Sequence, residues 1–482
     1  MRTSILICFP IFLLLYSCNQ FTSKEQEISS KKLSNTIEYL ASPELNGRLS
    51  GSEGYNKAAK FVANKFKEYG LQNAGFPNYY QKFDVEYNKI NKSSLTCVKK
   101  DGSSKTYNLG KDYICRGFSG SGDIKAPVVF CGYGINSENK KYNDYNGVDV
   151  DGKIVMQFKD DPRWKLDDER IGYNSLRKKA ALAKENGAVG IIYVSKANAK
   201  NPQKPIGSVK HGEGEHLEDF PQIHVNLNTA ADFFEHSSTT LKSLQKQIDT
   251  DKQPHSVPLK TKARIQIDAN YIPEQTTMNV VGMLPAKNQT DEYVVLGAHL
   301  DHVGGQAEEV YFPGANDNAS GVASMLEAAR VLSKDEPQKR SIIFIAFAAE
   351  ESGLEGSTYF VNHSPIDLNN IHAMLNMDCV GYGDSVVVGG GKSAPDLYEL
   401  VKKEDTLMKR MMVDRTWRGG GADATPFFEK GVSTLYFATK NSYTHLHLPS
   451  DKPQTLNKEL HKYVTHLVYQ STKKLVNDSE KN

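Results

Sequence analysis

Histidines and carboxylates follow predicted strands at five places in the second half of the chain, and these residue types bind metal ions. The five groups are His299, Asp301 and His302 in "GAHLDH", Asp317 in "GANDNASG", Glu350 and Glu351 in "FAAEE", Asp378 in "LNMD", and His445, His447 and Asp451 in "HLHLPSD". Neutral imidazole and carboxylate oxygen are ligands of zinc and related divalent cations. One group alone is typical of a turn, a helix cap or a solvated charge pair. Because all five follow strands of one predicted sheet, the sequence predicts a metal site.

The spacing of these residues also predicts roles. Successive residues that leave a strand point in opposite directions, so the adjacent carboxylates Glu350 and Glu351 meet different surroundings. One of them can bind a metal while the other faces a metal-bound water as a general base. His299 and Asp301 are two positions apart and point the same way, which suits a histidine ligand that is held by a carboxylate behind it.

Alternating strands and helices must position these groups. From about Met278 to the C-terminus, apolar strand-like runs alternate with helical runs, and one of these helices carries the apolar face Val322, Met325, Leu326, Ala329 and Leu332. This alternation predicts an α/β domain with a mostly parallel central sheet flanked by helices. In such sheets, functional sites lie at the carboxyl ends of the strands, where the five groups fall.

A different pattern occupies the middle of the chain. The runs "APVVFCGYGI", "GKIVMQF", "GAVGIIYV" and "FPQIHVNL" are typical of short strands joined by turns, with one helix around "SLRKKAALAKENG". Helical periodicity precedes them, from about residue 31 to residue 71. We therefore predict an α/β domain of residues 31–111 and 261–482, with a β-rich insert of residues 112–260.

The N-terminus has the layout of an export signal. Arg2 precedes the apolar run "ILICFPIFLLLY", which is shorter than the ~20 residues that a membrane span needs. The next residues, "LYSC", resemble a bacterial lipobox, which predicts a signal peptide of residues 1–17, a lipid-modified Cys18 and a flexible tether of residues 18–30. The protein is then an exported lipoprotein, periplasmic or on the cell surface, whose lipid is its only membrane contact. A plain signal peptide with an incidental cysteine is the alternative.

Composition excludes some partners and leaves the cysteines open. A formal net charge of +2 with 24% charged residues indicates an ordinary globular protein and no nucleic-acid partner. Four cysteines beyond the leader are scattered without metal-ligand spacing. Because an exported protein can form disulfides, Cys115 and Cys131 are a possible pair, and buried free thiols are the alternative.

An ordered set of segments resembles one known family. "LASPELNGRLSGSEGYNKAAKFV", "GAHLDH", "GANDNASG", "AEESGLEGS" and "NMDCVG" are similar to the signature blocks of the zinc-dependent exopeptidases. These include secreted bacterial leucyl aminopeptidases, glutamate carboxypeptidase, glutaminyl cyclase and the transferrin receptor. Residues 112–260 resemble the protease-associated domain that is inserted in this family. The resemblance covers nearly the whole mature chain and implies the zinc exopeptidase fold.

The resemblance also implies a centre of two zinc ions. The implied ligands are His299 and Asp378 for one ion, Glu351 and a C-terminal histidine for the other, and Asp317 as the bridge between them. Asp301 would orient His299, and Glu350 would be the general base. The peptide bond that follows the bridging aspartate is cis in the family, which implies a cis bond from Asp317 to Asn318.

The C-terminal part of the site departs from the family pattern. His447 in "HLPSD" matches the register of the last ligand better than His445 does. Leu446 stands where many relatives have a tyrosine that polarises the substrate carbonyl, so Tyr443 or another group would have to replace that tyrosine. The usual Ser-Asp-His sequence appears here as "ADA", and no role is assigned to its Asp423.

The implied function is release of N-terminal amino acids from peptides by a di-zinc aminopeptidase. A metallo-carboxypeptidase or dipeptidase of the same fold is the main alternative, and a carboxypeptidase would need a cationic pocket for the substrate carboxylate. A glutaminyl cyclase needs only one zinc ion. A non-catalytic binding protein similar to the transferrin receptor would have lost ligands that are present here.

Overall fold

The computed structural model describes residues 27–210, 212–336 and 338–478. The predicted signal peptide, the predicted lipidation site Cys18 and residues 18–26 of the tether lie outside these ranges. Within them, no helix combines the length and the apolar character needed to cross a bilayer.

Ten helices form in the described ranges, and polar side chains cap several of them. Ser52 accepts a hydrogen bond from the amide of Tyr55 at 3.1 Å, and Asn457 accepts one from the amide of Leu460 at 3.1 Å. The helices are α1 Ser30–Leu40, α2 Glu53–Glu68, α3 Leu176–Glu185, α4 Leu227–Phe233, α5 Leu241–Asp251, α6 Gly321–Leu332, α7 Glu355–Asn362, α8 Pro395–Leu407, α9 Ala424–Glu429 and α10 Lys458–Leu475.

Strands run through both parts of the chain, and one sheet contains 15 of them. The strands up to the end of the predicted insert are β1 Tyr80–Val98, β2 Ser104–Thr106, β3 Tyr113–Cys115, β4 Gly122–Phe130, β5 Asn136–Ser137, β6 Tyr142–Asn143, β7 Ile154–Phe158, β8 Lys165–Leu166, β9 Glu169–Arg170, β10 Gly190–Val194 and β11 Gln222–Val225. The remaining strands are β12 Val257–Leu284, β13 Tyr293–His299, β14 Gly305–Gln306, β15 Val310–Tyr311, β16 Ser341–Phe347, β17 Ile371–Met377, β18 Val386–Gly389 and β19 Thr434–Thr439.

The α/β part of the sheet has a parallel centre with antiparallel flanks. Strands β19, β17, β13 and β16 are parallel neighbours, while β18 and β12 pair with them in the antiparallel sense. Helices α1, α2, α6, α8 and α10 contribute to one apolar core, and α7 and α9 contribute to a second. The predicted fold class, a mostly parallel sheet flanked by helices, is confirmed.

Helix α6 is more deeply buried than its predicted apolar face requires. All of its residues are buried, including the polar Ser324 and the ion pair between Glu327 and Arg330, whose atoms lie 2.7 Å apart. The helix contacts β13 on one side and α1 and α10 on others, so its polar face meets protein instead of water. The Ser324 hydroxyl lies 2.9 Å from Nε2 of His461 on α10, which satisfies both groups.

The insert has its own sheet segment and its own core. Strands β4, β7, β10 and β11 are parallel neighbours, and helices α3, α4 and α5 pack beside them. The long strands β1 and β12 pair along almost their whole length, and β12 joins the two halves of the sheet by pairing with both β4 and β16. Strand β1 was not predicted from the sequence. The exact domain bounds stay a prediction.

The cysteines of the described residues are free thiols. Cys97, Cys115, Cys131 and Cys379 are buried and unpaired. The thiol of Cys115 lies 3.0 Å from the Ser93 hydroxyl. Of the two alternatives, buried free thiols are therefore present, and the possible pair of Cys115 and Cys131 is not formed.

Candidate metal centre

Four neighbouring strands end at the same edge of the sheet, and the predicted site residues follow them. His299 ends β13 opposite Phe347 of β16, and Met377 of β17 lies opposite Phe437 of β19. Because these strands are parallel, the segments after them meet at one place. The turn Ala315–Ser320, which leads into α6, brings Asp317 to the same edge.

The first ligand group consists of His299, Asp317 and Asp378. Nε2 of His299 lies 3.3 Å from Oδ1 of Asp317 and 3.3 Å from Oδ1 of Asp378. All three residues are buried. Burial opposes a charge on His299, but Glu350, Asp317 and Asp378 outweigh it and raise the pKa of the imidazole well above its usual value. The three donor atoms could hold one metal ion.

The second ligand group shares Asp317 with the first. Nε2 of His447 lies 3.0 Å from Oε2 of Glu351 and 3.2 Å from Oδ2 of Asp317. Nδ1 of His302 lies 2.8 Å from Oε1 of Glu351 and belongs to the same group. The two oxygens of Asp317 thus face different groups, which is the arrangement of a bridging ligand.

Asp317 is fixed by the residues around it. Its amide and that of Asn316 donate to the Asp451 carboxylate, at 3.0 Å for Asp317 and 2.9 Å for Asn316. The Asn318 side chain donates to the carbonyl of Met377 at 2.9 Å. The peptide bond between Asp317 and Asn318 is cis, as the family resemblance implied. Asp451, which the sequence placed in the last group, therefore lies behind the ligands.

Arg48 is a buried structural residue of the site that sequence reasoning did not identify. Its guanidinium is fully buried and donates to four carbonyl oxygens, those of Leu40, Leu300, Pro313 and Gly314. These carbonyls belong to the end of α1, the segment after β13 and the segment before Asp317. Arg48 therefore ties together chain segments that carry ligands. Arg48 lies in the sequence "NGRLSG", but no local sequence pattern indicates that an arginine will be buried.

Asp301 supports the glutamates more directly than it supports His299. Its carboxylate accepts hydrogen bonds from the amides of Glu350 at 3.2 Å and Glu351 at 3.3 Å. The nearest carboxylate oxygen lies 3.8 Å from Nδ1 of His299, whereas the backbone carbonyl of Asp301 lies 3.3 Å from that nitrogen. The carboxylate thus holds the turn that separates Glu350 from Glu351.

The surroundings of Glu350 favour the protonated form of its carboxyl. Burial raises the pKa of its carboxyl well above the usual value, the neighbouring Glu351 and Asp423 add to this effect, and His299 opposes it. By contrast, the imidazole of His447 holds the pKa of Glu351 at about 2 although burial acts in the other direction. Two adjacent carboxylates thus differ in proton affinity because their surroundings differ.

The two candidate histidines near the C-terminus have different surroundings. Only His447 belongs to a ligand group among the described residues, and its Nδ1 lies 3.3 Å from the carbonyl oxygen of Gly207 in the insert. His445 lies 2.9 Å from the hydroxyl of Ser450 and is partly exposed.

Tyrosines lie beside the first ligand group. The Tyr436 hydroxyl donates to Oδ2 of Asp378 at 2.9 Å, and the Tyr443 hydroxyl lies 3.3 Å from that of Tyr436. Sequence reasoning missed Tyr436, because a tyrosine inside an apolar strand is typical of core. Leu446 and Tyr443 both line the cleft. Asp423 is fully buried, and burial raises the pKa of its carboxyl to about 7.

The ligand groups open into a cleft of about 860 Å³ between the α/β domain and the insert. Its acidic lining residues are Glu213, Asp317, Glu350, Glu351, Glu355 and Asp378. Among the described lining residues, Lys210 is the one with a permanent positive charge, and its Nζ lies 3.4 Å from Glu355 and 3.8 Å from Glu86. The cleft is therefore acidic and suits cations.

The sheet, the paired ligand groups and the half-buried Glu350 beside them define a metallohydrolase of the α/β class. Imidazole and carboxylate donors at every ligand position fit zinc. Residues 279–472 match peptidase family M28, and residues 124–233 match the PA domain. These matches confirm the predicted resemblance to the zinc-dependent exopeptidases, the peptidase class and the inserted domain.

Similar proteins span most of the chain. The Bacillus subtilis aminopeptidase YwaD is 25% identical over 94% of this chain and 88% of its own length. A glutamate carboxypeptidase 2 homolog of Caenorhabditis elegans is 24% identical over 86% of this chain and 63% of its own length. The structure of BSAP, a zinc aminopeptidase from Bacillus subtilis, matches with a TM-score of 0.65 and 22% identity, covering 95% of this chain and 97% of that one. This likeness is one of fold.

Proposed function

We propose that the protein is a di-zinc aminopeptidase that removes N-terminal amino acids from peptides. The observation that carries the proposal is the pair of ligand groups that share Asp317 and open, together with Glu350, into one cleft. The similarity to Bacillus subtilis aminopeptidase YwaD over 94% of this chain supports the same activity. One ion would be held by His299 and Asp378, the other by Glu351 and His447, with Asp317 as the bridge.

The chemistry follows from the groups around the cleft. Zinc bound at the two ligand groups would activate water and polarise the scissile carbonyl. Glu350 accepts a proton from the attacking water and delivers it to the leaving amine. Its pKa is raised above the usual carboxyl value by burial and by the neighbouring carboxylates, which makes it a stronger proton acceptor. Asp301 holds Glu350 in place through the backbone amide at 3.2 Å.

The charge of the cleft favours recognition of a free amino terminus. A protonated α-amino group is attracted by the acidic lining, which contains Glu213, Glu350 and Glu355 besides the carboxylates of the ligand groups. A carboxypeptidase would need a free cation for the substrate carboxylate. Lys210 does not meet this need, since Glu355 and Glu86 already lie near its ammonium group.

We also propose that the chain is an exported lipoprotein, anchored through Cys18 to the periplasmic or cell-surface side of a membrane. The apolar run followed by "LYSC" supports this localisation. The peptidase domain would comprise residues 31–111 and 261–482, with the protease-associated domain between them. Radiolabelled palmitate incorporated into the wild-type protein but not into Cys18→Ser would support the anchor, and equal labelling would contradict it.

Matched peptides test the activity. The fragment that starts near Ser23 is assayed on one peptide sequence with a free or acetylated N-terminus and with a free or amidated C-terminus, before and after chelation and zinc restoration. Zinc-dependent cleavage of the free-amine peptides alone is expected. Cleavage of acetylated peptides with a free C-terminus would indicate a carboxypeptidase. No cleavage despite bound zinc would support a cyclase or a binding protein.

Two adjacent variants separate the roles of the glutamates. Glu350→Gln should keep its zinc and lose about 10²–10⁴-fold in kcat, as expected when a general base is removed. Glu351→Gln should lose zinc as well as activity, because it removes a carboxylate from the second ligand group. A wild-type rate in Glu350→Gln would refute the role of Glu350.

A further inference from the structure

The inserted domain reaches the ligand His447 through one glycine. The amide of Gly207 donates to the carbonyl of His447 at 2.9 Å, and Nδ1 of His447 lies 3.3 Å from the carbonyl of Gly207. These are two reciprocal contacts between residues 240 positions apart. The second contact requires the Nδ1–H tautomer, which leaves Nε2 free to face Asp317 and Glu351.

His447 needs external support because its own backbone is unfavourable. It has a φ of +52°, which costs free energy in a residue other than glycine. It also follows a short helical turn instead of a strand, so no sheet hydrogen bonds hold it. The contacts of Gly207 fix both its carbonyl and its imidazole. Histidine ligands generally donate their second N–H to a carbonyl or carboxylate, and this contact fixes the ring.

Tight apolar packing holds Gly207 in register with His447. A Cβ atom at this position would lie 2.5 Å from Cγ2 of Val303 and 3.2 Å from the ring of Phe312. Val303 and Phe312, from the peptidase domain, share an apolar cluster with Ile114 of the insert. The φ of Gly207 is not positive, so its backbone conformation does not require glycine. Glycine is required here because a side chain would not fit against Val303 and Phe312.

Polar contacts also connect the insert with the peptidase domain near Gly207 and fix the two residues beside Gly207. The side chain of Gln306 pairs with the backbone of Cys115 through two hydrogen bonds, of 3.0 and 2.7 Å. Arg116 donates to the carbonyl of Ile206 at 3.3 Å, and the hydroxyl of Ser208 accepts from the amide of Gly117 at 3.2 Å. The segment before and after Gly207 is thereby fixed to the body of the insert.

We propose that Gly207 is a positioning residue for the second metal ion and that the inserted domain is thereby an integral part of the metal centre. The inference rests on the proposed role of His447 as a ligand. Under this proposal the insert does more than form a wall of the cleft. Contact of segment 205–209 with the peptidase domain fixes the imidazole of His447 in the tautomer and orientation that zinc binding requires. Displacement of this segment would release the second ion and leave the first.

Substitution of Gly207 tests the proposal through metal content. Gly207→Ala should lose 10–100-fold in affinity for one of the two zinc ions, because that is the usual effect of removing the partner of a ligating histidine. Zinc content after dialysis at fixed free zinc and the absorption of the cobalt-substituted protein would report this loss without an activity assay. Val303→Ala combined with Gly207→Ala removes the nearest clash and should restore much of the affinity.

Matched variants make the test specific. Gly122→Ala lies in the same insert on β4, and two zinc ions should remain bound to it. Gln306→Met keeps the side-chain volume but removes the hydrogen bonds to Cys115, so it perturbs docking even if Gly207→Ala does not fold. Wild-type zinc affinity in folded Gly207→Ala and in Gln306→Met would overturn the proposal, as would a single zinc ion in the wild-type protein. Two zinc ions without peptidase activity would instead refute the proposed function and leave this positioning role standing.

Discussion

Replacement of Arg48 by methionine is expected to weaken both the fold and the metal centre. The guanidinium is fully buried, and it donates to the carbonyls of Leu300 at 2.8 Å, Pro313 at 2.8 Å and Gly314 at 3.0 Å, and also to that of Leu40. Arg48→Met keeps an unbranched side chain but removes every one of these donors. Four buried carbonyl oxygens then have no donor from this position.

Two opposing effects determine how much the free energy of unfolding falls in Arg48→Met. Each buried carbonyl that loses its partner costs about 1–3 kcal/mol. Against this, the mutant no longer has to desolvate a guanidinium, and that cost is real because burial lowers the pKa of Arg48 to about 10 despite the nearby Asp317 and Asp301. Because four carbonyls lose their donor at once, the first effect outweighs the second, and a net cost of about 3–5 kcal/mol remains. We expect the free energy of unfolding to fall by that amount.

Urea unfolding of Arg48→Met, with and without zinc, measures the effect. Arg264→Met is the control, because Arg264 is half exposed and pairs with Asp123 at 2.9 Å on the surface, where such a pair contributes about 0–1 kcal/mol. Arg48→Lys should fall between the two, since one ammonium cannot serve carbonyls on several segments. If Arg48→Met were as stable as Arg264→Met, the idea that Arg48 ties the site together would be wrong.

Three further variants examine individual side chains of the centre. Tyr436→Phe removes the donor to Asp378, so zinc affinity should fall about 10–100-fold in chelator competition. Tyr443→Phe should lower kcat about tenfold and leave the zinc content unchanged if the Tyr443 hydroxyl polarises the substrate carbonyl. A buried donor in that role contributes about 10²–10³-fold, and the smaller effect is expected because Tyr443 is half exposed. An unchanged kcat would exclude that role. His447→Ala should lose one zinc ion by metal analysis whereas His445→Ala should lose none, and equal content in both would contradict the choice of ligand.

The α/β domain was largely predictable because its local patterns agree with its tertiary structure. Buried parallel strands are continuous apolar runs, so "EYVVLGAHL" and "SIIFIAFAA" gave β13 and β16 within two residues of their ends. The polar residues that follow such runs can only lie at the carboxyl edge, so the sequence also predicted which side chains would meet. His299, Asp317 and Asp378 do meet there.

Other features depend on contacts that no local pattern records. Strand β1 carries exposed lysines at positions 82, 89 and 92, and its pairing with β12 is what makes it a strand. The role of Arg48 depends on three separate segments that converge on it. The contact of Gly207 with His447 joins residues 240 positions apart, and glycine there is required by the volume of Val303 and Phe312.

The two ligand groups differ in how the fold holds them, and this difference should appear in their metal affinities. His299 ends a central strand, and Asp378 directly follows the neighbouring strand, so ladder hydrogen bonds fix the backbone of the first group. His447 lies in an irregular segment with a positive φ and depends on a glycine of another domain. Because local opening is easiest where few backbone hydrogen bonds hold a segment, the group with His447 should release its ion first. The inserted domain would then affect catalysis through the more weakly held metal, although none of its described residues belongs to either ligand group.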